Sequence, residues 1–178
     1  MAPKTHGLKS MSRSIPSRLK WNQGSLALGR RSATDIAIFV DGDSIGPNHA
    51  DRVLRSIQAT HRICAVRVHG NLNGKSVGSW SHVAKERGVF FRHLPKLVQG
   101  KNAADISLAI DAMELHLTRP QPNYAILTND ADFTPLVLRL KEDGATVHGY
   151  GHNATPKTLR SAFNAFTQIS DLRHKDGN

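Results

Sequence analysis

Two places in this sequence carry paired carboxylates directly after a short apolar run. Ile36-Ala37-Ile38-Phe39-Val40 stops at Asp41-Gly42-Asp43, and Tyr124-Ala125-Ile126-Leu127-Thr128-Asn129 stops at Asp130-Ala131-Asp132. Carboxylates gathered at one point repel one another unless a cation neutralises them. An all-oxygen donor set of this kind suits Mg²⁺ or Mn²⁺. Each run has the length of a buried parallel strand bounded by turn residues. Ligands of open α/β sheets bind in the crevice outside the carboxyl ends of the strands, so both pairs are expected at that edge. A third acid, Asp105, lies in Gly100-Lys101-Asn102-Ala103-Ala104-Asp105. With Asn102 as helix N-cap, Asp105 is the third helical residue, where the helix start itself stabilises an acid by about 0.3–1 kcal/mol. That helix start follows a strand, however, and so falls at the same edge as Asp41 and Asp130.

The elements that must hold these residues alternate. Strands are expected at 36–40, 63–68, 89–91, 124–128 and 145–150. Helices are expected at about 48–60, with Val53, Leu54 and Ile57 on one face, and at about 77–87, burying Trp80 and Val83. A third helix spans about 102–117, where Ile106, Ile110, Met113 and Leu117 recur at i, i+4, i+7 and i+11 and are expected to face the core. Thr134-Pro135 and Thr155-Pro156 each read as an N-cap followed by an N1 proline, opening helices to Gly144 and to about Phe166. A βαβαβαβαβα order requires a three-layer α/β/α sandwich, a mostly parallel sheet and right-handed crossovers.

Composition narrows the class. At 178 residues and 39% hydrophobic content, the chain has enough for one ordinary core and no more. No apolar stretch approaches the roughly 18 residues that span a bilayer, which predicts a soluble protein without a membrane partner. The one cysteine, Cys64, excludes an internal disulfide or a thiolate metal site and fits a reducing, cytoplasmic compartment. Within Ile63-Cys64-Ala65-Val66 it is expected to be a small buried hydrophobe. Net charge is +10, and Lys4, Lys9, Arg13, Arg18, Lys20, Arg30 and Arg31 put seven of those charges in residues 1–34, which hold no acid. That segment reads as a basic disordered arm giving salt-sensitive attraction to phosphates. Its Arg- and Ser-rich composition also fits an organellar transit peptide, although no clear amphipathic helix appears. Acids concentrated at one point of a basic protein suggest a metal site acting on a polyanion.

Three stretches carry a family resemblance. Val40-Asp41-Gly42-Asp43-Ser44, then Gly100-Lys101-Asn102-Ala103-Ala104-Asp105-Ile106 with Ile110-Asp111-Ala112-Met113, then Thr128-Asn129-Asp130-Ala131-Asp132-Phe133-Thr134-Pro135-Leu136, resemble the signature of NYN-domain proteins. These are PIN-like ribonucleases, and the similarity, from about Asp35 to Leu172 and including Val147-His148-Gly149-Tyr150-Gly151, points to the LabA-like branch. The resemblance implies a PIN-like fold and metal-dependent RNA cleavage, with Asp41, Asp105, Asp130 and Asp132 as ligands. Two positions depart from the pattern: Ser44 stands where the family usually has Asn, and Asn71 where relatives often have an acid. Serine keeps a donor and an acceptor with shorter reach. Many relatives also continue into a winged-helix-like RNA-binding module, for which nothing after Asp171 is long enough. RNA capture is then expected from the domain surface, the arm, a second copy or a protein partner.

Other readings exist for single residues. Asp41 and Asp43 could cap a turn, and Asp132 could help a helix start. Asp43, Ser44, Thr128 and Asn129 are expected to orient ligands or water rather than bind metal. Asp111 is six residues beyond Asp105, about 240° around the helix, so it is expected to be structural or to act behind the ligands. Lys101 and Asn102 are expected to meet RNA phosphate. His148 and His152 are four apart across a strand end, a weak metal signal with no third ligand.

The reading is therefore a metal-dependent endoribonuclease, residues 35–172, with a short tail at 173–178. It acts on single-stranded RNA and leaves a 5′-phosphate and a 3′-hydroxyl. One alternative is an RNA-binding regulatory protein that cleaves weakly or not at all, to which Ser44 and Asn71 lend weight. A haloacid-dehalogenase-type phosphatase fits less well, because the second acidic pair directly follows Thr128 instead of lying on a later strand.

Overall fold

The computed structural model describes residues 32–70, 75–88, 90–93 and 102–172. Strands and helices alternate as β1 (Asp35–Asp41), α1 (Pro47–Gln58), β2 (Arg62–Gly70), α2 (Lys75–Arg87), β3 (Phe90–His93), α3 (Ala103–Thr118), β4 (Asn123–Leu127), a 3-10 turn (Ala131–Phe133), α4 (Thr134–Glu142), β5 (Thr146–Gly151), α5 (Lys157–Ala162) and β6 (Ala165–Gln168). Among the described residues the strands form one sheet in the order β3-β2-β1-β4-β5-β6, and every pairing is parallel.

Period-2 alternation in the central strands builds two cores. Ile36, Ile38 and Val40 of β1 and Ala125 and Leu127 of β4 pack with Val53, Leu54 and Ile57 of α1 and Trp80 and Val83 of α2. Ala37, Phe39, Tyr124 and Ile126 point the other way, against α3, α4 and α5. This is a three-layer α/β/α sandwich with a parallel central sheet. Its direction of winding reverses between β1 and β4, which meet side by side from Ile36↔Asn123 to Val40↔Leu127. At a switch of this kind ligands of open α/β sheets bind beyond the strand ends, here marked by Asp41 and Thr128. No helix among the described residues is long and apolar enough to cross a membrane.

Several expectations need correction. The stripe on α3 does not face the core: Ile106, Ile110 and Leu117 are 59%, 63% and 70% exposed, while Leu108, Ala112 and Leu115 are buried. The helix is turned so that Asp111 and His116, both buried, reach polar partners. Asp111 meets Arg67 and His69 of β2, and His116 meets Tyr124 Oη at 3.0 Å and Asp143 at 3.2 Å. Polar groups that lose water must find partners, and that requirement selects the face.

The last helix ends at Ala162, not near Phe166, and β6 follows. Phe163 is extended and buried against β5, where its ring fills the space a Cβ on Gly149 would need. Asn164 then bonds both backbone groups of Val147, its Oδ1 accepting from the Val147 amide at 2.8 Å, and the chain continues as a strand beside β5. Neither Thr-Pro pair opens its helix as expected. Thr134 is the first residue of α4 and donates back to the Ala131 carbonyl at 2.6 Å; α5 starts at Lys157, with Pro156 as N-cap. Cys64 is exposed rather than buried, because β3 pairs only with residues 67–70 and leaves the start of β2 uncovered. Its partial burial still raises the thiol pKa, which keeps it a poor nucleophile.

Candidate functional site

Asp41 closes β1 and folds the next turn around its own carboxylate. Oδ1 accepts from the amides of Asp43 (3.2 Å) and Ser44 (3.3 Å), and Oδ2 accepts from Ser44 Oγ (2.6 Å) and Thr128 Oγ1 (2.8 Å). A carboxylate offers about four acceptor positions, and all four are met here. Ser44 thus uses its hydroxyl on Asp41 and accepts weakly from the Asn129 amide at 3.4 Å. Thr128, fully buried at the end of β4, joins the two strand ends, since its Oγ1 also accepts from the Asp130 amide at 3.0 Å.

Asp130 then accepts from the Asp132 amide at 2.9 Å and so caps the 3-10 turn. Asn129 ties in the neighbouring strand: its Oδ1 accepts from the His152 amide (2.7 Å) and from Thr155 Oγ1 (2.8 Å). Gly151 lets this happen, because a Cβ there would sit 2.7 Å from the Thr128 carbonyl and would strike Thr155. Gly70 does the same on the other flank, where a Cβ would come within 3.1 Å of Asp43 Oδ1.

Asp105 stands opposite, at the third position of α3, half-buried. Asn102 is the N-cap and is exposed, but it caps without its side chain. Among the described residues no donor meets the Asp105 carboxylate. Burial, then the charges of Asp41, Asp130, Asp43 and Asp132, push its pKa up to about 6. Asp41, Asp43, Asp130 and Asp132 therefore each lie within electrostatic reach of Asp105. They do not close into a tight cage: among the described residues no three His, Cys, Asp or Glu side chains are grouped to hold one ion. Lys101 lies outside the described residues.

Asp111 is held away from this edge by Arg67 and by His69 Nε2 at 3.1 Å, and His69 Nδ1 reaches Ser107 Oγ at 3.1 Å. Since His69 pairs in register with Asp41 and its carbonyl accepts from the Gly42 amide at 2.6 Å, this buried network ties α3 to the Asp41 turn. Sequence reasoning missed Arg67, His69 and Ser107. For Arg67 and His69 the available signal was two polar residues two apart, directly after the apolar run 63–66. His148 and His152 do not form a pair. His148 meets the ring of His61 at 5.8 Å, and His152 meets that of His49 at 4.6 Å. Burial, then the His152 and Arg52 charges, lower the His49 pKa.

The fold recurs among solved structures. A protein of unknown function from Vibrio parahaemolyticus superposes with a TM-score of 0.66 at 18% identity, over 81% of this chain and 98% of that one. MurG from Acinetobacter baumannii superposes at 0.50 and 14% identity, over 76% of this chain but 41% of its own. At such identities the likeness is one of fold. None of the curated proteins matches the chain. The NYN domain model matches residues 35–170, from the first residue of β1 past the end of β6. Acids at the ends of β1 and β4 and at the head of α3 thus belong to one domain of known kind, and the chain is a member of the NYN-domain family, within the PIN-like nuclease superfamily.

Proposed function

We propose that this chain is a metal-dependent ribonuclease of the LabA-like branch, cutting single-stranded RNA at the edge formed by β1, β4 and α3. The observation that carries the reading is the Asp105 carboxyl, pushed up to about 6 by burial and four neighbouring acids and met by no described donor. Repulsion of that kind is relieved by a cation. The donor chemistry fits Mg²⁺ or Mn²⁺, which prefer oxygen. Mg²⁺ is commonly held by one or two carboxylates with water and substrate phosphate, so a closed protein cage is not required. Asp105, Asp130 and Asp132 are the carboxylates open to such an ion, and Asp41 joins them when Ser44 or Thr128 turns its hydroxyl away.

A bound ion would activate water and neutralise charge on the phosphodiester. The protein's own residues set the stage. Thr128 and Ser44 fix the Asp41 carboxylate, Asn129 locks the ends of β4 and β5 together, and the first turn of α3 with Asn102 offers backbone amides to an RNA phosphate. Lys101, beside it in sequence, supplies a positive charge. A labelled single-stranded RNA incubated with Mn²⁺ is expected to be cut to 5′-phosphate and 3′-hydroxyl products. EDTA, Asp105→Asn or Asp130→Asn should each abolish the cleavage. Undiminished cutting by the Asp130→Asn protein would remove the proposed site.

The filled acceptor positions of Asp41 favour a second reading, an RNA-binding protein that cleaves weakly. RNA binding that needs no metal and is unchanged by Asp130→Asn, with no products formed, would select it.

A further inference from the structure

We infer that the outer face of α3 is a homodimer interface, in which two copies of the chain pack their α3 helices antiparallel across a two-fold axis. Ile106, Ile110 and Leu117 project from one side of this helix at 59%, 63% and 70% exposure, with Met113 half-buried between them. Large aliphatic side chains so spaced lie on one face and form a single stripe along the helix. The three exposed side chains leave about 400 Å² of apolar surface per copy, the size of the largest single patch on a typical monomer. A standard interface takes about 800 Å² per partner, a little over half of it apolar. The stripe is therefore large enough for the centre of a small dimer interface.

Its spacing is self-complementary. The steps from 106 to 110 to 113 to 117 read the same in both directions about the level between residues 111 and 112. A two-fold axis at that level sets Ile106 against Leu117 of the second copy and Ile110 against its Met113. Isologous contacts of this type are the commonest in homo-oligomers. Antiparallel helices also oppose their macrodipoles favourably.

Charge selects the same face. The chain is +10 overall, with seven of those charges in residues 1–34, so two copies repel one another at long range. Yet α3 contains no Lys or Arg in its 16 residues. Of its three acids, Asp111 is buried in the network with Arg67 and His69, and Asp105 belongs to the acidic edge. Glu114, the third, stands away from both. Two α3 helices packed together therefore set no basic side chain of one against a basic side chain of the other. The pairing does not depend on the nuclease reading, and it keeps Asp105 of each copy near opposite ends of the helix pair.

Light scattering on the full-length chain, at roughly 100 µM and at moderate salt, tests the inference. The expected mass is twice 19.5 kDa. Ile110→Glu should give a folded monomer, because the position is exposed and the core does not depend on it. In a Cys64→Ser background, Ile110→Cys should be linked into a covalent dimer by a short bis-maleimide. A monomeric full-length chain would overturn the inference, as would a dimer that survives Ile110→Glu. A full-length monomer that dimerises only after residues 1–31 are removed would also overturn it, assigning the stripe to the chain's own N-terminal segment.

Discussion

Asp105 concentrates the electrostatic cost of the site in one group. Its carboxyl titrates at about 6 in the folded chain against an ordinary 3.8, so between those values the native state holds a proton that the unfolded chain has lost. Stability contributed by this group is thus intact below about pH 4 and is lost as pH rises toward 6. A shift of that size corresponds to about 3 kcal/mol, and solvent screening at a half-buried position leaves about 1 kcal/mol of it. Asp105→Asn is accordingly expected to be more stable than the parent at pH 8 by about 1 kcal/mol, the gap closing by pH 4, in urea titrations at both values. Millimolar Mg²⁺ or Mn²⁺ should raise the Tm of the parent and leave the variant unmoved. A variant less stable than the parent at pH 8 would show that the acids do not repel. The sequence showed where these acids stand, because strand ends and helix starts are local features. It could not show that the Asp41 carboxylate is filled by Ser44 and Thr128, since Thr128 is 87 residues away along the chain.

At the scale of elements, α3 shows what apolar periodicity can and cannot convey. Its start and length were legible from Asn102 and the apolar spacing, and the structure runs from Ala103 to Thr118. The buried face was not legible, because leucine, isoleucine, alanine and methionine lie all around this helix. The choice was made by Arg67, His69, Tyr124 and Asp143, which belong to other parts of the fold. Two substitutions on α3 test which of its faces is buried, and the second runs against the sequence expectation. Asp111→Ala leaves Arg67 and His69 without their shared carboxylate and is expected to cost about 3 kcal/mol. Ile110→Glu, on the exposed side, should cost no more than about 0.5 kcal/mol under monomeric conditions. Denaturant midpoints of the two proteins check the orientation directly, and the reverse order of stability would contradict it. The hidden sixth strand has a similar origin. Helical spacing around Leu159 and Ala162 continues smoothly toward Phe166, and only the close fit of the Phe163 ring on Gly149 ends it.

At the scale of the molecule, alternation of strands and helices was enough to give the layers and the parallel sheet. The order β3-β2-β1-β4-β5-β6 was not, because each new strand can be added on either side of the sheet. The switch between β1 and β4 sets where the acidic edge lies, and the charge around it depends on the rest of the chain. Deleting residues 1–31 removes seven of 24 basic side chains. The truncated protein is expected to stay folded and to keep its turnover at saturating RNA, with weaker binding. Its salt slope should be shallower by about 0.7 for each RNA phosphate that the segment had neutralised. Fluorescence anisotropy across a salt series measures this, and an unchanged slope would deny the segment a role in capture. Extending the deletion through Thr34 also removes the Ala33 and Thr34 carbonyls, which accept from Asn123 Nδ2 at 2.8 Å and the Arg62 amide at 2.9 Å. That longer deletion should reduce stability by about 1–2 kcal/mol more.

The central position of β1 has a consequence for synthesis. Every residue of this strand is buried, and both its neighbours, β2 and β4, come later in the chain. On the ribosome, Ile36 to Val40 emerges as a bare β-prone segment and waits until Leu127 has been made before its second side is covered. Such a segment invites pairing with other nascent chains. Asp35 and Asp41 bracket it at both ends, where charge discourages that pairing. A carboxylate read first as a metal ligand, and then as the anchor of a turn, thus also guards the nascent strand.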